Sequence, residues 1–134
     1  MDTGKSALGL DGNVAAALGY PIGIIAIISL IMEKENNFVK FHAIQSLCFH
    51  VGMIILMIVL WILGVIMLVG GAAASAATES GAVGGLVGML FGLLWLVFIV
   101  LYFLGLILAA VKAYQGAMFK LPIIGNMAAK WAGV

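Results

Sequence analysis

Apolar residues in this chain fall in long unbroken runs, without the polar interruptions of a surface helix or strand. Val14–Met32 and Ala43–Val69 are two such runs, and the stretch from Ser80 to Val111 carries no charged side chain. A helix needs about 20 consecutive apolar residues to cross a bilayer core. The pattern predicts an all-α membrane protein with three transmembrane helices, over about 14–32, 43–69 and 83–111, in a single membrane domain covering residues 1–134. The second run is longer than a 30 Å core requires, which predicts tilt or projection beyond it.

The breaks between runs are also informative. Residues 1–13 read as a short polar tail, and Glu33–Phe41 as a charged loop. Pro21 predicts a kink near Tyr20, because proline removes a helix donor and crowds the preceding turn. Gly70–Gly85 is rich in Gly, Ala, Ser and Thr and reads as a flexible turn. Gly116 is placed to end the third helix and Pro122 to start another. The last segment, with Ile123, Ile124, Met127, Lys130 and Trp131, is too short to span. It predicts a C-terminal amphipathic interfacial helix over about 122–133.

Small residues recur every fourth position at Ala15, Gly19 and Gly23, and again at Gly84, Gly88 and Gly92. Such stripes let helices approach closely, within one chain or between copies.

Composition strengthens the membrane reading: 66% of residues are hydrophobic and 8% charged, against about 25% charged in a soluble domain. A soluble fold of this size could not hide that much apolar surface. The net charge of +1 argues against a nucleic-acid partner. All six basic residues are lysines, so the bidentate arginine grip on phosphate is missing. Cys48 has no partner for an intrachain disulfide and reads as a small buried hydrophobe. The first run is followed by Glu33, Lys34 and Glu35 rather than small residues, so it reads as retained, not as a cleaved leader.

Lysine placement predicts orientation. Lys34 and Lys40 lie in the first loop, and Lys112, Lys120 and Lys130 near the C-terminus, with only Lys5 in the N-terminal tail. With three crossings, the positive-inside rule puts the N-terminus outside and the C-terminus in the cytoplasm of a cell (inner) membrane.

The polar constellation opening the second run is the best candidate site. His42, Gln45, Ser46 and His50 share one helix face. Polar groups at membrane depth need partners. The seam therefore reads either as interhelical hydrogen bonding or as the lining of a water-filled path. His42 and His50 are two turns, about 12 Å, apart on one helix and cannot bind one metal ion between them. His50, Met53 and Met57 share a face of soft donors, but no second methionine cluster completes a copper(I) site. No metal or cofactor is expected. The acids Asp2, Asp11, Glu33, Glu35 and Glu79 all fall in tails or loops, and no nucleophile–base–acid set is present. Glu33 and Glu35 with Lys34 and Lys40 read as a solvated interface loop. Trp61 and Trp95 read as packing residues inside their spans. Lys112, Tyr114, Lys120 and Trp131, with Phe119, read as interface anchors.

Three segments carry a resemblance: Leu10–Tyr20 (LDGNVAAALGY), Glu33–Ser46 (EKENNFVKFHAIQS) and Lys112–Gly125 (KAYQGAMFKLPIIG). Together they resemble the small prokaryotic membrane proteins similar to the multispanning Tic component of chloroplast inner-envelope import, a grouping that also holds the magnetosome proteins MamF and MmsF. The resemblance implies a helical membrane protein that self-associates. It supplies no catalytic residues.

The sequence thus points to a non-enzymatic integral membrane protein, a self-associating scaffold or membrane-assembly factor. Its partners would be the lipid bilayer, further copies of itself, or another membrane protein. The alternative is a pore-forming or accessory subunit for transport of a protein or small solute, lined by His42, Gln45, Ser46 and His50.

Overall fold

The structure, a computed structural model, describes residues 3–134; Asp2, one of the acids assigned to the tail, lies outside the described residues. The described residues form five α-helices and no strand: α1 (Gly12–Leu18), α2 (Gly23–Met32), α3 (Asn37–Ala77), α4 (Ala82–Tyr114) and α5 (Ile124–Ala132). Two of these are long and apolar enough to cross a membrane, not three. At 1.5 Å per residue the 41 residues of α3 extend about 60 Å and the 33 of α4 about 50 Å. Only 11% and 6% of their most apolar stretches are buried. The core helix of a soluble protein would be mostly covered, so these surfaces call for lipid.

The predicted first span, 14–32, is the main correction. It is split into α1, 7 residues, and α2, 10 residues, which extend about 10 and 15 Å; neither crosses a 30 Å core. The break falls at Gly19–Ile22, where Pro21 has no N–H to continue the helix. The two sides of the run come back together. Ala7 N–H donates to the Glu33 carboxylate at 2.7 Å, and Asn36 Nδ2 donates to the Thr3 carbonyl at 2.7 Å. Chain entering the apolar run and chain leaving it therefore lie side by side. A crossing helix would hold them a bilayer apart.

The predicted orientation, N-terminus outside and C-terminus in the cytoplasm, rested on three crossings. Residues 3–13 lie beside the Glu33–Asn36 loop and the end of α4, where Asn13 Nδ2 donates to the Tyr114 carbonyl at 2.9 Å.

Two loops are shorter than predicted. Asn36 caps α3, accepting from Val39 N–H through Oδ1, so Asn37–Phe41 is helical. The Gly/Ala segment after Val69 continues α3 to Ala77, and the chain reverses only at Thr78–Gly81. Glu79 takes a positive φ of 51° there. At the other end of the hairpin, Gly116 (φ +75°) closes α4. Its N–H donates to Ala113, and that of Ala117 donates to Lys112, the paired bonds of a Schellman cap.

The chain divides into two compact units, residues 1–52 with 103–134, and residues 53–102. The first holds α1, α2, α5 and the adjoining parts of α3 and α4. One apolar cluster in it gathers Ala16, Tyr20, Ala109, Ala113 and Leu121, and another Phe41, Ile44, Ala128, Ala129 and Ala132. The second unit is a bare helical hairpin. Within it the tip of the Phe91 ring occupies the place of a Cβ at Gly64, a Cβ at Gly71 would meet Val87 at 3.4 Å, and Gly84 N–H donates to Ser75 Oγ at 2.9 Å.

Candidate functional site: a polar knot at the head of α3

Three of the four predicted seam residues come together. His42, Gln45 and Ser46 are fully buried in the first unit, on the face of α3 turned toward the α1–α2 break and the segment linking α4 to α5. His50, one turn on, is half-buried, with Nδ1 2.8 Å from the Ser46 carbonyl.

The hydrogen bonds run in one consistent direction. His42 Nε2 lies 3.1 Å from the Ala117 carbonyl, which can only accept, so the ring proton is on Nε2. Nδ1 is then an acceptor, and the Tyr20 hydroxyl donates to it at 3.0 Å. Burial pushes the Tyr20 phenol above its ordinary range, against a smaller opposing effect of its Gln45 bond, so its proton is available for that bond. The Tyr20 oxygen in turn accepts from Gln45 Nε2 at 2.7 Å. The same amide donates to the Phe119 carbonyl at 2.9 Å, and Gln45 Oε1 accepts from Leu121 N–H at 3.0 Å. Flipping the amide would face a donor to a donor, so the orientation is fixed. Phe38 and Phe41 pack edge-on against the His42 ring, with centroids 4.6 and 4.8 Å away.

Most of these partners are backbone groups left over by irregular chain. Breaking the first run at Pro21 frees the Gly19 carbonyl, which an intact helix would pair with Gly23 N–H; Ser46 Oγ donates to it at 2.7 Å. Ala117, Phe119 and Leu121 lie between α4 and α5, where no helix pairs them. Non-helical backbone close to lipid is tolerated only when protein groups satisfy it. The knot performs that function, and it turns three side chains inward onto protein.

Tyr20 and the Ala117–Leu121 backbone were not among the predicted site residues. Tyr20 was legible only as the position of a kink. Glu33, expected in a solvated loop, is buried and accepts from both Ala7 N–H and Asn36 N–H.

The predicted packing stripes divide. Ala15 and Gly19 are buried, and a Cβ at Gly19 would lie 3.4 Å from the Ala26 side chain, whereas one at Gly23 would meet nothing. In α4, Gly84 is in contact, but Gly88 and Gly92 face open space. Gly64, Gly71 and Gly105 make close approaches that the fourfold pattern missed. Trp61, expected in packing, is 66% exposed, while Trp95 is half-buried, edge-on to Phe98 at 5.5 Å. The anchors Lys112, Tyr114, Lys120 and Trp131 are all exposed. A helix is found where the C-terminal amphipathic one was predicted, at α5, and its small-residue face packs on Phe41 and Ile44.

The geometry defines an α-helical membrane protein with two long apolar helices and a unit of partly non-helical backbone held by buried side chains. Residues 7–128 match the magnetosome magnetite crystal formation protein family, and the chain belongs to that family. It is 38% identical over 133 residues to a UPF0132 membrane protein of Methanocaldococcus jannaschii, covering 96% of each chain. It is 35% identical over 122 residues to a UPF0132 membrane protein of Archaeoglobus fulgidus, covering 90% of this chain and 95% of that one. A second Methanocaldococcus jannaschii UPF0132 membrane protein is 29% identical over 126 residues, covering 93% of this chain and 73% of that one. No solved structure matches significantly. The segments on which the resemblance rests, Leu10–Tyr20, Glu33–Ser46 and Lys112–Gly125, are those that meet in the knot.

Proposed function

We propose that the protein is a non-enzymatic, self-associating scaffold of the cell membrane that serves membrane assembly, with both termini and all six lysines on the cytoplasmic side. The observation that carries this reading is the α4 glycine row. Gly84 is used inside the chain, whereas Gly88 and Gly92, one and two turns on, meet nothing of their own chain. Glycines gain nothing by facing lipid and favour close approach of another helix. An apolar groove of about 250 Å³, lined by Gly64, Met67, Gly71, Gly84, Gly88 and Phe91, runs beside the row and offers room for a side chain of a second copy.

The orientation follows from lysine count: the turn Thr78–Gly81 has none, and every lysine lies on the other side of the two crossings. Family membership supports a role in building membrane-bound structures, since the family is described by magnetite crystal formation at magnetosomes. The likeness to the Tic component bears instead on transport. For that reading the inward-turned, protein-bonded state of His42, Gln45 and Ser46 is unfavourable.

The test is oxidative crosslinking of Gly88→Cys in a Cys48→Ser background, in native membranes. A dimer band that is lost when Gly92→Leu is added to the same chain supports the scaffold. Absence of any crosslink, with a monomer by native mass spectrometry, overturns it.

A further inference from the structure

We infer that α2 and α5 form one lipid-docking face that enters only the leaflet on the lysine side of the membrane. Ile24, Ile27, Ile28 and Ile31 stand at the i, i+3, i+4, i+7 positions of α2 and are all exposed, Ile31 to 73%. The opposite face is used internally: Ala26, Ser29 and Glu33 are buried. On α5 the small residues Ala128, Ala129 and Ala132 pack inward, and Met127 and Trp131 point out. Leu30 of α2 packs on the cluster that Ala128, Ala129 and Ala132 of α5 form with Phe41 and Ile44 of α3, so both helices are seated on one cluster within one unit.

The occupant is phospholipid, for two reasons. Exposed Lys34 follows α2 and exposed Lys130 sits within α5, so the apolar face is edged by cations suited to lipid phosphates. The helix is also the wrong length for any other place in the bilayer: α2 extends about 15 Å, half a hydrocarbon core, and its run is tied at both ends to the same side by Ala7–Glu33 and Thr3–Asn36. Helices with this pattern lie with their apolar face about 5–10 Å into the headgroup–acyl boundary. Insertion into one leaflet adds area to that leaflet alone, which would make the protein favour membranes curved toward it. The inference rests on the two-crossing topology and not on self-association.

The experiment uses full-length protein, Cys48→Ser, with nitroxide labels at Ile27→Cys and Met127→Cys, in vesicles of phosphatidylcholine and phosphatidylglycerol. Collision with oxygen and with a water-soluble nickel chelate reports depth. The expected result is an oxygen-to-nickel ratio several-fold above that of an aqueous reference label at Leu10→Cys, with both labels about 5–10 Å below the phosphates. Three results overturn the inference: Ile27 at the bilayer centre, as a crossing helix would place it; both labels fully open to nickel, as a water-facing surface would be; or both shielded from oxygen and nickel, as a protein interface would be. Ile31→Cys gives the same reading if Ile27→Cys does not reconstitute.

Discussion

The Tyr20 hydroxyl donates to His42 Nδ1 across 3.0 Å, joining the break in the first apolar run to the head of α3. The proton must come from tyrosine, because the other ring nitrogen of His42 is committed to the Ala117 carbonyl. This bond is one link in a directional chain from Leu121 N–H through Gln45 and Tyr20 to His42 and Ala117. Each link holds irregular backbone that a simple helical span would not possess.

A double-mutant cycle tests whether the knot acts as a unit. Gln45→Leu leaves the Phe119 carbonyl, the Leu121 N–H and the Tyr20 oxygen short of partners, and each buried group left unpaired costs about 1–3 kcal/mol. Tyr20→Phe removes the same Gln45 contact from the other side. The expected coupling energy between the two is at least about 0.5 kcal/mol. Thermal unfolding in mild detergent measures it, and additive effects would show that the bonds are independent.

Glu33 ties residues 3–13 to the start of α3. Glu33→Ala removes the acceptor for both Ala7 and Asn36 N–H groups, bonds to a charged group worth about 1.5–3 kcal/mol each. Amide exchange at Ala7 should accelerate by about tenfold or more, while α4 amides stay as protected as before. Unchanged exchange at Ala7 would mean that the contact does not hold the segment.

The glycines of the hairpin are not equivalent. A Cβ at Gly64 would collide with the Phe91 ring, so Gly64→Val should destabilise the fold by about 1–3 kcal/mol through overpacking. Gly92→Val adds its side chain to open space and should leave unfolding unchanged while weakening self-association. Unfolding midpoints and native mass spectrometry of the two variants separate these effects.

Hydropathy made α3 and α4 legible, since their most apolar stretches are long, free of charge and almost wholly uncovered by the rest of the chain. The same signal misread Val14–Met32, because a count of apolar residues registers length and not continuity. Pro21 marked the break, but whether a proline kinks a helix or ends it depends on what satisfies the freed carbonyl. Here that is Ser46, 27 positions away. His42, Gln45 and Ser46 were found by their shared face. Tyr20 was not, because an aromatic beside a proline carries no signal of its hydrogen-bond partner. Gly64 and Gly71, which also meet the facing helix, are seven apart and were hidden by a search for fourfold spacing. Gly70–Ala77 was read as a turn by composition, although alanine is the strongest helix former and five of those residues are alanine.

The side of the membrane on which each end of the first apolar run lies decides between two crossings and three. Single cysteines at Leu10, Glu35 and Ser80, each in a Cys48→Ser background, can be tested with an impermeant thiol reagent on intact cells and on inverted vesicles. Two crossings predict that Leu10→Cys and Glu35→Cys react only in inverted vesicles and Ser80→Cys only on intact cells. Labelling of Leu10→Cys on intact cells, with Glu35→Cys still protected, would contradict the account and restore a third crossing.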